Sequence, residues 1–225
     1  MKLGYNVAID GPAGAGKSTI AKLVAKEKGY IYVDTGAMYR AIALYFLNQG
    51  LNASEIEKMK EIAEQAQVEI GYEQGVQQVY LNGENVTSKI REEAVGNMAS
   101  ISSAVPEVRA RLLNLQRTLA QKEDVIMDGR DIGTNILPNA DVKIYLTASV
   151  ETRAKRRFHE LLAKGVSCTL EEITHDIEQR DFRDMNRETA PLCQAKDAIL
   201  IDSSDMTISE VVEKICSYCN KNLDE

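Results

Sequence analysis

The sequence predicts an α/β fold: a parallel sheet with helices on both faces, a small antiparallel β insertion and a charged helical region. Three observations predict it. Short apolar runs alternate with segments of helical period along most of the chain, the pattern of strands joined by crossover helices. One stretch breaks that pattern with period-two alternation next to an Asn-Gly turn signal. Finally, 225 residues suffice for one full domain with an insertion but not for two large ones, so residues 1–225 are read as a single domain.

The elements follow in order. Tyr5 to Ile9 is an apolar run ended by Asp10 and a glycine-rich turn, and Ser18 to Lys28 then carries helical spacing at Ile20, Leu23 and Val24. A second strand, Tyr30 to Val33, ends at Asp34-Thr35-Gly36, and Met38 to Asn48 is apolar on a helical period until Gly50 closes it. Ligands of such sheets collect at the carboxyl ends of the strands. In the insertion, 64–95, Val68-Glu69-Ile70-Gly71-Tyr72 and Gln78-Val79-Tyr80-Leu81 alternate, and Asn82-Gly83 marks a turn. Helical patterns resume at about Glu92, and Pro106 opens a long helix to about Leu119. Asp124 to Met127 and Val142 to Leu146 supply two more buried strands. A charged helical region from Val150 to Arg187, a strand from Ala198 to Ile201 and an amphipathic helix from Ile208 to about Tyr218 complete the chain.

Composition excludes several classes. No stretch approaches the roughly 18 apolar residues of a membrane span, and Met1 to Val7 lacks the apolar core of an export signal, so a cytoplasmic protein without membrane contact is expected. A net charge of -7 argues against a nucleic-acid polymer as partner. The four cysteines, Cys168, Cys193, Cys216 and Cys219, are too few and too unevenly spaced for a disulfide framework and read as reduced thiols. Cys216-x-x-Cys219 reads as a helix face rather than a metal site, because no second pair follows and neither His159 nor His175 is near in sequence.

Gly11-Pro12-Ala13-Gly14-Ala15-Gly16-Lys17-Ser18, followed by Thr19, matches G-x-x-x-x-G-K-[ST] in full and sits between a strand and a helix. Its glycines let backbone N–H groups turn around a phosphate, the helix N-terminus adds partial positive charge, Lys17 reaches the outer phosphates, and Ser18 can ligate Mg²⁺. This P-loop implies ATP binding but does not choose a reaction. A guanine-reading N-K-x-D is missing, its nearest candidate being Asn220-Lys221-Asn222-Leu223. A motor ATPase would end a strand in paired acids, whereas Val125-Ile126-Met127 runs into Asp128-Gly129-Arg130-Asp131.

Arginines favour a kinase. On a helix, Arg180, Arg183, Asp184 and Arg187 fall within a sector of about 100°, and Arg153, Arg156 and Arg157 repeat the arrangement upstream. These cations have no evident local partners, so an anion should complete the face and the region should close as a lid, 150–190. Clustered guanidiniums suit bidentate phosphate contacts and the spreading charge of phosphoryl transfer. No general base has a credible setting, and a phosphate acceptor needs none, since its second pKa near 6 makes it mainly dianionic at neutral pH. This points to a nucleoside monophosphate kinase; the alternative is a nucleotide-binding module without turnover.

Four segments resemble the bacterial-type cytidylate kinases almost from end to end: the P-loop, Asp34-Thr35-Gly36-Ala37-Met38-Tyr39-Arg40, Asp128-Gly129-Arg130-Asp131-Ile132-Gly133-Thr134, and Arg180-Asp181-Phe182-Arg183-Asp184-Met185-Asn186-Arg187. The insertion also resembles that family's enlarged monophosphate-binding domain. The resemblance implies transfer of the γ-phosphoryl group of ATP to CMP or dCMP with Mg²⁺, by a monomer. It implies that Ser100, Arg109 and Asp131 read the cytosine edge and that Arg180 and Asp184 hold the sugar. Arg40, Arg130 and Arg187 would take the acceptor phosphate, with Thr35 standing where some members carry Ser. Lys17, Arg130, Arg153, Arg157 and Arg183 would meet the charge of the transferring group. Ser18, with Asp128 acting through a water, would hold the metal, although some members carry Gly-Thr in place of Ser18-Thr19.

Overall fold

The computed structural model describes residues 4–221; the first three residues of the export-signal reading and the end of the Asn220–Leu223 segment lie outside the described residues. In chain order the elements are β1 (Asn6–Asp10), α1 (Lys17–Lys28), β2 (Ile31–Asp34), α2 (Thr35–Asn48), α3 (Ile56–Ile62), β3 (Val68–Glu73), β4 (Val76–Leu81) and β5 (Glu84–Asn85). There follow α4 (Glu93–Ser102), α5 (Pro106–Lys122), β6 (Val125–Gly129), β7 (Val142–Thr147), α6 (Val150–Ala163), α7 (Leu170–Asn186), β8 (Ile199–Asp202) and α8 (Ile208–Lys221). Five strands form the main sheet in the order β2-β6-β1-β7-β8, and β3-β4-β5 form the small one. The chain divides into two compact units, Tyr5–Tyr30 with Ile126–Glu225 and Met1–Gly4 with Ile31–Val125.

In the unit that contains β1, this strand pairs parallel with β7, Val7 facing Val142 through Asp10 facing Tyr145, and β7 pairs parallel with β8. All five residues of β1 are buried, as expected for a strand covered on both faces. Its C-terminal residue is nonetheless an acid, Asp10, which an apolar core tolerates only with hydrogen-bond partners. The charged region resolves into two helices. α6 and α7 pack over Ala154, Ile173 and Ile177, with Phe158 and Leu161 against them. Thr169 and Glu172 form a reciprocal capping box that fixes where α7 begins. α7 ends at Asn186, so Arg187 lies on extended backbone just past the helix and not on a shared helical face.

In the other unit, β3 and β4 pair antiparallel from Val68 opposite Leu81 to Glu73 opposite Val76. Gln74 and Gly75, at φ 51° and 76°, make the turn between them. The predicted Asn82-Gly83 turn joins β4 to β5, both residues at positive φ, as a type I′ turn requires. α2 starts at Thr35, three residues before the Met38 that periodicity suggests, because the Asp34 carboxylate accepts from Ala37 N at 2.9 Å and caps the helix. The Gln77 side chain on β4 accepts from Asp34 N at 2.8 Å and donates to Asp34 O at 3.2 Å, tying the hairpin to the start of that helix. α3, seven residues of mostly charged sequence, has too little apolar period to be predicted.

Candidate active site

The phosphate loop takes the conformation its sequence requires. Gly11 sits at φ 149°, and a Cβ there would fall 1.9 Å from Leu146 O on β7. Gly14 sits at φ 74°, where a Cβ would meet Arg153 Cβ at 3.2 Å. Helix α1 begins directly at Lys17, whose Nζ donates to Pro12 O at 2.7 Å. Burial, and next the charge of Arg130, hold the Lys17 pKa well below its ordinary value, while Asp128 and Asp10 pull the other way.

Ser18 Oγ donates to Asp128 Oδ2 at 2.8 Å. A hydroxyl and a carboxylate side by side beside the phosphate loop are the oxygen donors Mg²⁺ takes when substrate phosphates supply further ligands, so these residues fit that ion. The cysteine pair does not compete: Cys216 and Cys219 are buried on α8, burial raising both thiol pKa values, Cys216 to about 12. Among the described residues no group of three or more His, Cys, Asp or Glu could hold a metal.

Strand β6 delivers the acid-and-arginine turn. Arg130 Nε donates to Asp184 Oδ2 at 2.8 Å, and Arg187 Nη2 donates to Asp131 Oδ1 at 3.0 Å. Burial opposes the charge of Arg130, but Asp184, Asp181 and Asp128 hold its pKa above the ordinary value. Burial likewise works against the Asp184 carboxylate, and Arg130, Arg180 and Arg187 overcome it and lower its pKa. Asp184 thus has a hydrogen-bonded partner 54 residues away in the chain.

The expectation that the lid arginines lack local partners is corrected by the structure. Arg153 Nη1 pairs with Asp181 Oδ2 at 2.5 Å and donates to Ala13 O at 2.7 Å, while its Nε donates to Ala148 O at 2.9 Å. Arg156 donates to Ser203 O and Oγ, and Arg157 pairs with Glu160 at 2.9 Å. Arg183 is exposed on α7, and Arg180 is half-buried. Residues scattered through the chain, not an incoming anion alone, balance these charges.

In the other unit, Ser100 on α4 and Arg109 on α5 are both buried. Nothing among the described residues hydrogen-bonds Ser100 Oγ. Arg109 donates to Ser103 O at 3.2 Å and lies over the Tyr39 ring, 5.5 Å from its centroid. Thr35 is buried in the first turn of α2 and Arg40 half-buried in its second. Arg91 adds a contact to the Asp34 carboxylate at 3.4 Å.

Three residues at the site escaped sequence reasoning. Asp10 accepts from Ile132 N and Gly133 N, both at 2.8 Å. Asp181 accepts from Ala13 N at 2.9 Å. Asn135 donates to Asp131 Oδ2 at 3.1 Å. The signal for Asp10 was an acid closing a buried apolar strand; Asp181 stood inside a quoted motif without a role.

A family model described as cytidylate kinase matches residues 7–221. The cytidylate kinase of Caldicellulosiruptor saccharolyticus is 53% identical over 210 residues, 93% of each chain. That of Leuconostoc mesenteroides is 48% identical over 219 residues, covering 97% of this chain and 98% of the relative. A solved structure of an uncharacterized protein from Eubacterium ventriosum, 14% identical, covers 96% of this chain and 98% of its own with a TM-score of 0.51, a likeness of fold. With the match running from the first buried strand to the last helix, and relatives about half identical over nearly their whole length, the chain belongs to the cytidylate kinase family.

Proposed function

We propose that this chain transfers the γ-phosphoryl group of ATP to CMP, and to dCMP, forming CDP or dCDP and ADP. The observation that carries the reading is the acid-and-arginine turn, Asp128 to Asp131, set in the same unit as a complete phosphate loop. The loop from Gly11 to Thr19 cradles the ATP phosphates, with Lys17 on the outer ones. Mg²⁺, held by Ser18 and through a water by Asp128, would neutralise phosphate charge. Arg130, Arg157 and Arg183 meet the charge of the transferring group, and Arg153, engaged at Ala13 O and Asp181, acts on it through the phosphate loop.

For the acceptor, Ser100, Arg109 and Asp131 read the base, and a buried hydroxyl with its hydrogen-bonding capacity unused supports that role for Ser100. Arg180, Asp184 and Thr35 hold the sugar end, and Arg40, Arg130 and Arg187 the phosphate. Residues 64–95 serve as the monophosphate-binding insertion and 150–190 as a lid. No described helix is long and apolar enough to cross a membrane. The working form is a monomer in the cytoplasm acting on small molecules rather than on a nucleic-acid polymer.

The test is ADP formation from ATP with CMP, dCMP, UMP, AMP, GMP, shikimate and dephospho-coenzyme A, each in turn. CMP and dCMP should give the highest kcat/KM. ATP binding without acceptor-dependent turnover would instead make the chain a nucleotide-binding module and reject the proposal.

A further inference from the structure

The geometry points to Asp10 as the positioning residue that holds the Arg130–Asp131 turn in its acceptor-reading form, an assignment that rests on the activity proposed above. Asp10 closes β1, immediately before the phosphate loop, and is 4% exposed. Both of its oxygens are committed to the backbone of one segment: Oδ1 accepts from Ile132 N and Oδ2 from Gly133 N, each at 2.8 Å. These two amides directly follow Arg130 and Asp131. They open a single π-helical turn, Ile132–Ile136, in which Ile136 N bonds Asp131 O at 3.1 Å and Leu137 N bonds Ile132 O at 2.7 Å. Such wide turns are rare and persist where something fixes them.

A carboxylate presents an acceptor oxygen to each of two adjacent N–H groups without offering a proton to either. The bonds fix the backbone on which Asp131 stands, and hence where its carboxylate, itself held by Arg187 and Asn135, lies. Lys17 is close enough to Asp10 for their charges to interact, so a rival role exists: Asp10 could serve the phosphate loop through Lys17 instead.

The two roles separate experimentally. Asp10→Asn keeps the shape but turns an N–H donor toward one of the two amides. Under the positioning role, exchange of the Ile132 and Gly133 amides accelerates, and CMP binding measured by calorimetry weakens about ten- to a hundredfold. The CMP-over-UMP preference in kcat/KM falls as well, while ATP binding stays within about threefold. Gly133→Ala crowds the same turn without altering any charge, since its Cβ would press on the Lys143 side chain, 3.1 Å from Cδ and 3.3 Å from Cγ, and reach van der Waals contact with Asp10 Oδ2 at 3.4 Å. It should reproduce the pattern more weakly. The inference is overturned if ATP binding weakens as much as CMP binding, if exchange at Ile132 and Gly133 is unchanged, or if Gly133→Ala leaves CMP binding and selectivity intact. Should the unsubstituted chain give no CMP-dependent turnover, the activity assignment fails, and with it the acceptor-reading role of Asp10; normal CMP turnover with unchanged exchange sinks Asp10 alone.

Discussion

Asp181 and Arg153 form a buried bracket on the phosphate loop, and breaking it should show a coupling that separate contacts would not. Arg153 and Asp181 are both nearly inaccessible, and together they grip Ala13 by its N–H and its carbonyl. In Asp181→Asn the amide oxygen can serve Ala13 N or Arg153 but not both, and its NH₂ faces a donor in either orientation. Stranding a buried cation costs about 3 to 5 kcal/mol. Arg153 keeps Ala13 O and Ala148 O as acceptors, so the lower end, about 3 kcal/mol, is expected. Arg153→Met keeps an apolar stem and removes the charge that Asp181→Asn would strand. The double variant should therefore lose less than the two single losses combined, by about 2 kcal/mol. Urea unfolding followed by circular dichroism at pH 7.5 supplies the four free energies of the cycle. Additivity within about 0.5 kcal/mol would refute the bracket.

Three other outcomes are expected. Lys17→Ala should lower kcat by more than about tenfold while ATP still binds, because Lys17 stabilises the transition state more than the ground state; turnover within about tenfold of the parent counts against its role. Asp131→Asn should lower kcat/KM for CMP more than for UMP, since UMP offers an acceptor where CMP offers an amino donor, a mismatch of roughly 1 to 3 kcal/mol against a carboxylate. The same variant should also lose stability, because Arg187 loses a buried partner, so selectivity is measured below the unfolding transition; equal losses for CMP and UMP would move base reading to Arg109. Asp10 gives a pH signature: burial raises its pKa from 3.8 to about 6, against the backbone bonds to Gly133 and Ile132 and the charge of Lys17, with Asp131 adding to the rise. A folded-state pKa above the unfolded one means a stabilising contribution fully present below pH 3.8 and lost as pH rises through about 6. Between pH 4 and 8 the parent should therefore lose about 2 kcal/mol relative to Asp10→Asn in urea unfolding. A difference that does not change with pH would contradict this.

The features legible in the sequence are those whose chemistry is contiguous. The phosphate loop is one run of residues between a strand and a helix, and the Asp128–Asp131 turn follows directly from an apolar strand. Pairings set by packing were not legible. Arg130 with Asp184 and Arg187 with Asp131 join residues more than 50 positions apart, and reading charges along one helix alone left cations without partners where the fold supplies acids. Asp10 was hidden for a different reason: its partners are backbone amides, which every residue carries and no sequence pattern marks, and the same holds for the bond that Asp181 accepts from Ala13 N. The early start of α2 belongs with these, since the cap at Asp34 outweighs the apolar period that begins at Met38.

The amide of Gln77 meets both backbone groups of Asp34, doing with one side chain what a neighbouring strand does with a residue of its own. Tyr72 adds a bond to Tyr32 O at 3.2 Å. The hairpin is thereby fastened like a plug in a socket, and its outer end, at Gln74 and Gly75, bears none of that attachment. Loop lengthening, shortening or a grafted tag at that tip leaves the helix carrying Thr35 and Arg40 undisturbed, provided position 77 keeps one donor and one acceptor. The insertion is thus open to evolutionary drift and to engineering at one end while its other end stays locked to the start of α2.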